Sequence, residues 1–526
     1  MRLTWILVLG GLAEIGWVAV WLLSAGLSHS AVFTQAYLDD QPLARTLVES
    51  FRTLFARPDG PEAAVVLAIA FAWLGAVYLG LLVVLHRRAD ARPRATLAAV
   101  VVGSVVFQAT LISMPGLFSQ DVFGYVVYGR IADAYGLNPY VWPPSAIEKD
   151  PLVAWVAEVW RTYACPYGPL WVDVQMRLAH LLGDLGPVQQ ALAYRGLASG
   201  AFVASLGLAW RGLGRVVPLD SAGRLTAFAA LAWNPLVLLE LVGSAHNDVL
   251  MVAASLLAIV PLLGTRRFRR LAHLGAGVGF TLGALVKYLS GLGLVWVLVA
   301  AAAGVGSRRA RLGRAGLVGL ASLAIFVAVS APWLELPDSL DPLLNETAGV
   351  GYVNALPDHL ALGIAERASI AFGSPEADTR ELARLLERVV VLAVFGLVLA
   401  GETRRVWREA DQASIVRATA RTSLVFILVV SSSLQPWYFA LPLALAVLLG
   451  WRECLTRVAV AYSVLGLPAL YLAYYLREQT PEVVYVVYAL APLLPLLVSL
   501  PRWRLLPIRR IAPVAATFSF LGLLRH

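Results

Sequence analysis

The chain has 526 residues, of which 59% are hydrophobic and 14% charged, with 16 Trp and a formal net charge of +9. With a positive mean hydropathy, this composition excludes an ordinary soluble domain and indicates a multi-span membrane protein. The basic excess does not signal nucleic acid, because nearly all of it stands in short loops between apolar runs, with no polar domain to carry a nucleic-acid surface.

Apolar segments long enough to cross a bilayer as helices fall at 3–27, 61–85, 95–113, 188–210, 221–242, 246–263, 271–287, 289–306, 314–332, 386–401, 420–434, 436–451, 457–476 and 482–500, with a further one near 511–524. About fourteen spans, in a range of 13–15, are expected from these runs. Residues 1–27 carry Arg2 and small residues near Ser24-Ala25-Gly26, as a signal peptide does. The apolar run is too long for a signal core, so an uncleaved first helix is expected.

Orientation follows from arginine. Arg87, Arg88, Arg92 and Arg94 form one loop cluster, Arg266, Arg267, Arg269 and Arg270 a second, and Arg308, Arg309, Arg311 and Arg314 a third. Arg404, Arg405 and Arg408, then Arg452 and Arg457, then Arg502, Arg504, Arg509 and Arg510 continue the series. The positive-inside rule makes these loops cytoplasmic, and an even number of spans separates each cluster from the next, starting from Arg2 inside. The long connections 28–60, 114–187 and 331–385 then face outward, where loop-borne function is expected. Cys165 falls outside and Cys454 inside, so no internal disulfide joins them, and no cysteine spacing suits a metal. Residues 1–450 read as a transmembrane core with these outer loops, and 451–526 as C-terminal helices with a basic tail. Asn345-Glu346-Thr347 forms an outward N-glycosylation sequon.

The first polar signal in the outer loops is "FSQDVFGYVVYGR" (118–130), directly after an apolar span. The pattern predicts a short interfacial helix over 119–135, with Ser119 as cap, Asp121 in the first turn and Gly136 as terminator. At 100° per residue Asp121, Tyr125 and Tyr128 share a face, while Arg130 points away and can pair with Asp133. The helix dipole favours an ionised Asp121. Such a carboxylate either caps a surface helix among belt tyrosines or serves as a general base near the headgroups.

Further along, Gly243-Ser244-Ala245-His246-Asn247-Asp248 packs three polar side chains into the mouth of a membrane helix, which is costly unless they are satisfied. His246 can exchange a proton or meet a phosphate; Asn247 and Asp248 can orient it, bind a sugar hydroxyl, or simply cap. Lys287, in "LVKYLSG", is one of two lysines against 40 arginines. It sits near the outer hydrocarbon edge, as a phosphate contact or as a snorkelling cation. In "SSSLQPWYF", Gln435, Trp437 and Tyr438 reach the same surface after Pro436, as sugar-stacking groups or as part of an aromatic belt. "CPYGPLW" (165–171), Trp142, Trp155, Trp160 and Tyr163 extend the aromatic outer surface.

Taken together, "SQDVFGYVVYGRIADAYGLNPY" (119–140), "PYGPLW" (166–171), "WNPLVLLELVGSAHNDVLMV" (233–252), "LVK" (285–287) and "QPWYFALPL" (435–443) resemble the polyprenyl-phosphate-dependent glycosyltransferases of the GT-C superfamily. The likeness is to the bacterial α-mannosyltransferases that extend mannan chains, and it covers roughly 115–450 in the family's order. It implies an all-α, multi-span GT-C bundle in the bacterial cell membrane, with its active site outside and Asp121 as catalytic base. Many superfamily members carry a paired acidic motif in this loop, whereas Val122 and Phe123 follow Asp121 here. That departure argues for a reaction without a metal or other cofactor.

The expected chemistry is a single, inverting displacement: an acceptor hydroxyl of a glycan or glycolipid attacks the anomeric carbon of a polyprenyl-phosphate hexose, mannose by resemblance. Asp121 takes the proton; Lys287 and His246 stabilise the departing phosphate, with Arg130 in second rank. Tyr125, Tyr128, Asn247, Asp248, Gln435, Trp437 and Tyr438 hold sugar or acceptor. A lipid-linked oligosaccharide polymerase or ligase would share this location, and the motifs disfavour it. A secondary transporter would call for inverted repeats and mid-membrane ionisable groups; Glu14, Asn234 and Pro235 interrupt spans, but the dense polar clusters lie at outer ends.

Overall fold

A computed structural model describes residues 2–54, 61–87, 92–216, 222–263, 269–340, 356–373, 375–431 and 434–476. The expected spans 482–500 and 511–524 and the sequon at Asn345 lie outside them. Among the described residues every regular element is helical.

Three long helices open the chain: α1 (Arg2–Ser24), α4 (Pro61–Arg87) and α5 (Pro93–Ile112), with α1 packed on both others. Two short helices, α2 (Ala31–Asp40) and α3 (Pro42–Leu54), fill the 28–60 connection. The 114–187 connection holds α6 (Asp121–Asp133), three 3-10 turns and α7 (Pro169–Leu182). Then follow α8 (Pro187–Val216), α9 (Ala222–Ala232) and a short turn α10 (Pro235–Val237) that continues as a π-helical turn, Leu238–Gly243. Next come α11 (Asp248–Leu262), α12 (Arg269–Val286), α13 (Gly291–Ala303) and α14 (Arg308–Ser330). The described chain ends with α15 (Leu356–Phe372), α16 (Glu376–Glu409), α17 (Gln412–Val425), α18 (Ala440–Val447) and α19 (Cys454–Leu476). Proline opens α4, α5, α7, α8 and α10, the position at which its missing N–H costs nothing.

Eight of the described helices are long and apolar enough to cross a membrane, and four shorter apolar helices accompany them. A helix such as α1, 23 residues long, rises about 35 Å, enough for a hydrocarbon core of about 30 Å. The expected segment 386–401 forms the apolar stretch inside α16, a helix of 34 residues. Leu7, Ile15, Val102, Leu320, Leu323 and Leu397 lie exposed on these helices, the side that lipid would cover.

The interruption at Asn234-Pro235 is chemically satisfied. The Asn234 side chain accepts from Val237 N (3.1 Å) and donates to Tyr78 Oη (3.2 Å), while Trp233 Nε1 donates to Val100 O (2.7 Å). Past the break, the π turn brings the His246 segment toward α5 and α8.

Two expectations for the outer loop are corrected. The short helix α6 is not an exposed surface helix: nine of its residues are buried, and it packs closely on α7. Gly129 makes this approach feasible, since a Cβ there would run into the Gln175 carbonyl. Ser119 does not cap the helix; Gln120 holds the cap position without a side-chain bond, and Ser119 Oγ accepts from Asp121 N at 3.2 Å. The helix ends before Gly136, whose φ of +62° suits a glycine terminator.

Candidate active site

Arg195 sets the frame of the site. Buried in α8, its guanidinium donates to Ile112 O (3.1 Å), Met114 O (2.6 Å), Gly116 O (2.8 Å) and Gly243 O (2.8 Å). One forked cation thereby ties the strap leading into Asp121 to the turn leading into His246, using donors that lysine could not fan out in this way.

Asp121 opens α6 with its side chain 18% exposed. Tyr167 Oη donates to its Oδ2 at 3.2 Å. Burial pushes the carboxyl above its ordinary range, against the nearby Lys287 charge and the Ser119 and Tyr167 contacts, which favour the ionised form. Desolvation thus acts against the helix terminus, which favours the ionised carboxylate. Burial, with the Asp121 charge adding to it, holds the Tyr167 hydroxyl far above its usual range, so it stays a donor.

The loop bearing Tyr167 is docked by backbone. Gly168 N donates to Val286 O at 3.1 Å, and any Cβ on Gly168 would collide with the Leu285 carbonyl. Glycine at this position lets "PYG" lie against the end of α12, immediately before Lys287. There Lys287 Nζ meets Asp248 Oδ2 at 2.7 Å and stands 4.8 Å from the Tyr438 ring centroid. The lysine side chain is 20% exposed while Asp248 is buried, which suits an ion pair held from one side and open on the other.

His246 follows Ala245, a non-glycine residue at φ +56°. That conformation costs about 1–2 kcal/mol and folds the turn back over the π-helical segment, so that His246 N reaches Glu240 O (3.2 Å). The imidazole Nδ1 lies 2.8 Å from Glu240 O and 3.4 Å from Glu240 Oε2, and Nε2 lies 3.8 Å from Asp121 Oδ2. Trp437 covers one ring face at 3.8 Å between centroids.

Asp121, His246, Asp248, Lys287, Trp437 and Tyr438 are therefore gathered at one end of the bundle, from four separate stretches of chain. Asn247 joins them, buried, with both side-chain polar atoms unpartnered and its N–H 3.4 Å from Tyr125 Oη. Gln435 caps the turn that presents Trp437. Other assignments change. Arg130 binds neither Asp133 nor this cluster: its Nε and Nη2 both reach Asp150 Oδ2, at 2.8 and 2.6 Å. Tyr125 and Tyr128 are buried; the first packs edge-on against Tyr167 and Trp171, the second donates to Tyr163 O at 2.9 Å. Both rings are enclosed, and neither offers a face to a sugar. Glu240 and Tyr471, whose hydroxyl donates to Glu240 Oε1 at 2.9 Å, join the site without being expected there, and Tyr167 comes from the "CPYGPLW" turn. Glu240 left one signal: it is a lone carboxylate inside an otherwise apolar span. Among the described residues, no three His, Cys, Asp or Glu side chains converge as a metal site would require.

Fold and site together define a multi-span helical membrane protein with a polar cluster, partly exposed at Asp121 and Lys287, at one end of its bundle. Residues 16–303 match the family of alpha-(1->6)-mannopyranosyltransferases, in its N-terminal domain. The match spans more than half of the chain, which belongs to this family, in agreement with the GT-C mannosyltransferase resemblance carried by the motifs. Alpha-(1->6)-mannopyranosyltransferase A of Mycobacterium tuberculosis (strain ATCC 25618 / H37Rv) is 28% identical over 394 residues, covering 71% of this chain and 68% of that protein. Alpha-(1->6)-mannopyranosyltransferase B of Corynebacterium glutamicum is 29% identical over 227 residues, 40% of this chain and 37% of the relative. Alpha-(1->6)-mannopyranosyltransferase A of C. glutamicum is 30% identical over 149 residues, 27% of this chain and 28% of the relative. No solved structure matches the chain.

Proposed function

We propose that the protein transfers mannose from a polyprenyl-phosphate donor to a hydroxyl of a glycan or glycolipid, with inversion, on the outer face of the membrane. The observation that carries this reading is the juxtaposition of a partly open carboxylate, Asp121, with a lysine pinned by a buried partner, Lys287 and Asp248. A base and a cation are the two groups that a displacement at a sugar-phosphate carbon requires.

In the proposed step the acceptor oxygen attacks C1 and its proton passes to Asp121, while the C1–O bond to phosphate breaks and its electron pair leaves with the phosphate. Base catalysis of this kind contributes about 10²–10⁴-fold. Lys287 meets the charge growing on the phosphate; Asp248 and the Tyr438 ring hold it in place, so little reorganisation is needed as that charge appears. The orphaned Asn247 side chain and the second oxygen of Asp248, also unpartnered, supply buried acceptors and a donor for sugar hydroxyls. Family membership supports mannose, and the names of the relatives support an α-1,6 linkage.

The test is transfer by purified protein offered either polyprenyl-phosphate mannose or a nucleotide-activated mannose, with the anomeric configuration of the product determined. Transfer from the polyprenyl donor alone, to an α-linked product from a β-linked donor, is expected. Transfer from the nucleotide sugar, or retention of configuration, would overturn the proposal.

A further inference from the structure

Glu240 is a carboxylate placed inside a membrane helix, fully buried, in a π-helical turn. Such a group is expensive there, and π turns recur at functional positions. Tyr471 of α19 satisfies Oε1, whereas Oε2 has no hydrogen-bond partner and lies 3.4 Å from His246 Nδ1. The main-chain oxygen of the same residue takes the 2.8 Å contact from Nδ1. A carbonyl oxygen can only accept, so Nδ1 carries the ring proton and Nε2 presents a lone pair. Nε2 is buried and unpartnered, and it faces Asp121 Oδ2 at 3.8 Å. Trp437, stacked on the ring, keeps the imidazole in this plane.

We propose that His246 is the proton acceptor behind Asp121, and that Glu240, held by Tyr471, is the positioning residue that fixes its tautomer and orientation. The inference rests on the reading of Asp121 as base. It replaces the phosphate role expected for His246, because the ring turns its free nitrogen to the carboxylate. The acceptor hydroxyl gives its proton to Asp121, Asp121 passes that proton to Nε2 after an approach of about 1 Å to hydrogen-bond distance, and Asp121 is ionised again. The imidazolium so formed has Glu240 Oε2 at its other nitrogen, and it loses its proton to water as the products leave. No oxidant or further reactant is involved. The charged and titratable groups around the ring are Asp121 from α6, Glu240 from the π turn, Asp248 at the start of α11, Lys287 after α12, and Tyr471 through its bond to Glu240.

The experiment is a double-mutant cycle in the purified, membrane-reconstituted protein, with kcat and donor KM measured separately and thermal unfolding followed in parallel. Glu240→Gln keeps the shape and the Tyr471 bond but replaces the oxygen beside Nδ1 with an amide; His246→Asn keeps a donor near Glu240 O but removes Nε2. Each is expected to lower kcat at least about tenfold with KM within about twofold, and the double variant to be no slower than His246→Asn, because both act through one ring. Losses that multiply in the double variant, or a Glu240→Gln enzyme with kcat within about threefold of the parent, would overturn the relay. Should Glu240→Gln fail to fold, Tyr471→Phe is read in its place, with a fall in kcat of about threefold or more at unchanged KM expected and an unchanged kcat counting against the proposal. Asp121→Asn is run alongside: if it is inactive while Glu240→Gln is fully active, the relay alone fails; if Asp121→Asn is itself fully active, the base assignment fails first.

Discussion

Lys287 and Asp248, 39 positions apart in sequence, meet at 2.7 Å across the mouths of two neighbouring helices. The pair joins two motifs that looked independent in the chain, "SAHND" and "LVK", and leaves the lysine head partly open while the aspartate is enclosed.

Removing the lysine should therefore damage both folding and turnover. Lys287→Met leaves Asp248 buried with neither oxygen paired, a loss of about 3 kcal/mol, and deprives the leaving phosphate of its cation, lowering kcat by about 10²–10³-fold. Thermal unfolding and steady-state kinetics of the variant check the two effects separately. Lys287→Arg is expected to recover the stability better than the rate, since a planar fork does not reproduce a point charge.

The pH dependence of transfer should reflect the environment of Asp121. Burial raises its pKa, so the active, ionised form is lost on acidification at a pH above the ordinary carboxylate range. Tyr167 donates to that ionised form. Tyr167→Phe removes a contact that lowers the pKa, so the acid limb of kcat/KM is expected to move to higher pH. A limb that stayed in place would mean that Tyr167 does not contact the base during turnover.

The same burial has a consequence for stability. A carboxyl whose folded pKa is raised opposes folding once it ionises: stability falls as pH rises from the unfolded toward the folded value, and the cost remains above it. Asp121→Asn is accordingly expected to unfold at the same temperature as the parent or a higher one, the usual relation where a polar group is kept for activity.

Gly168→Ala should separate the Tyr167 loop from the end of α12, since the new methyl meets the Leu285 carbonyl and the bond from Gly168 N to Val286 O is strained or lost. Overpacking of this kind costs about 1–3 kcal/mol. A displacement near 1 Å at a catalytic contact costs about 10²-fold in rate. Normal activity would show that the contact between loop and helix does not position the site.

Orientation is open to a chemical test. Trp142, exposed in the 114–187 connection, and Cys454, exposed at the start of α19, lie on opposite sides in the proposed topology, while Cys165 is buried. In intact cells a membrane-impermeant maleimide should label Trp142→Cys at once and Cys454 only after permeabilisation. The reverse order would put the site on the cytoplasmic side.

How much of this was legible in the sequence depended on whether a residue stood at the edge of an apolar run. Asp121, His246, Asp248, Lys287 and Trp437 do, and a polar group there is visible against its background. Glu240 shows in the sequence as a lone carboxylate within an apolar stretch, but its place in the site depends on a π turn that no periodicity announces. Helical phase places Tyr125 and Tyr128 beside Asp121 as exposed aromatics; phase does not tell that α7 covers that side of α6. Arg130 was matched to the nearest acid on its own helix, Asp133, whereas its partner Asp150 arrives from an irregular loop 20 positions on. Close backbone approaches such as Gly168 on α12 are invisible until the two elements are placed together.

The central claim, that Asp121 is the base of a mannosyl transfer, is tested most directly by following labelled mannose from polyprenyl-phosphate mannose to acceptor with the purified parent protein and Asp121→Asn, each with and without chelator. The account predicts transfer by the parent that survives chelation, and a loss of about 10²–10⁴-fold in a normally folded Asp121→Asn protein. Transfer by that variant at the parent's rate would contradict it.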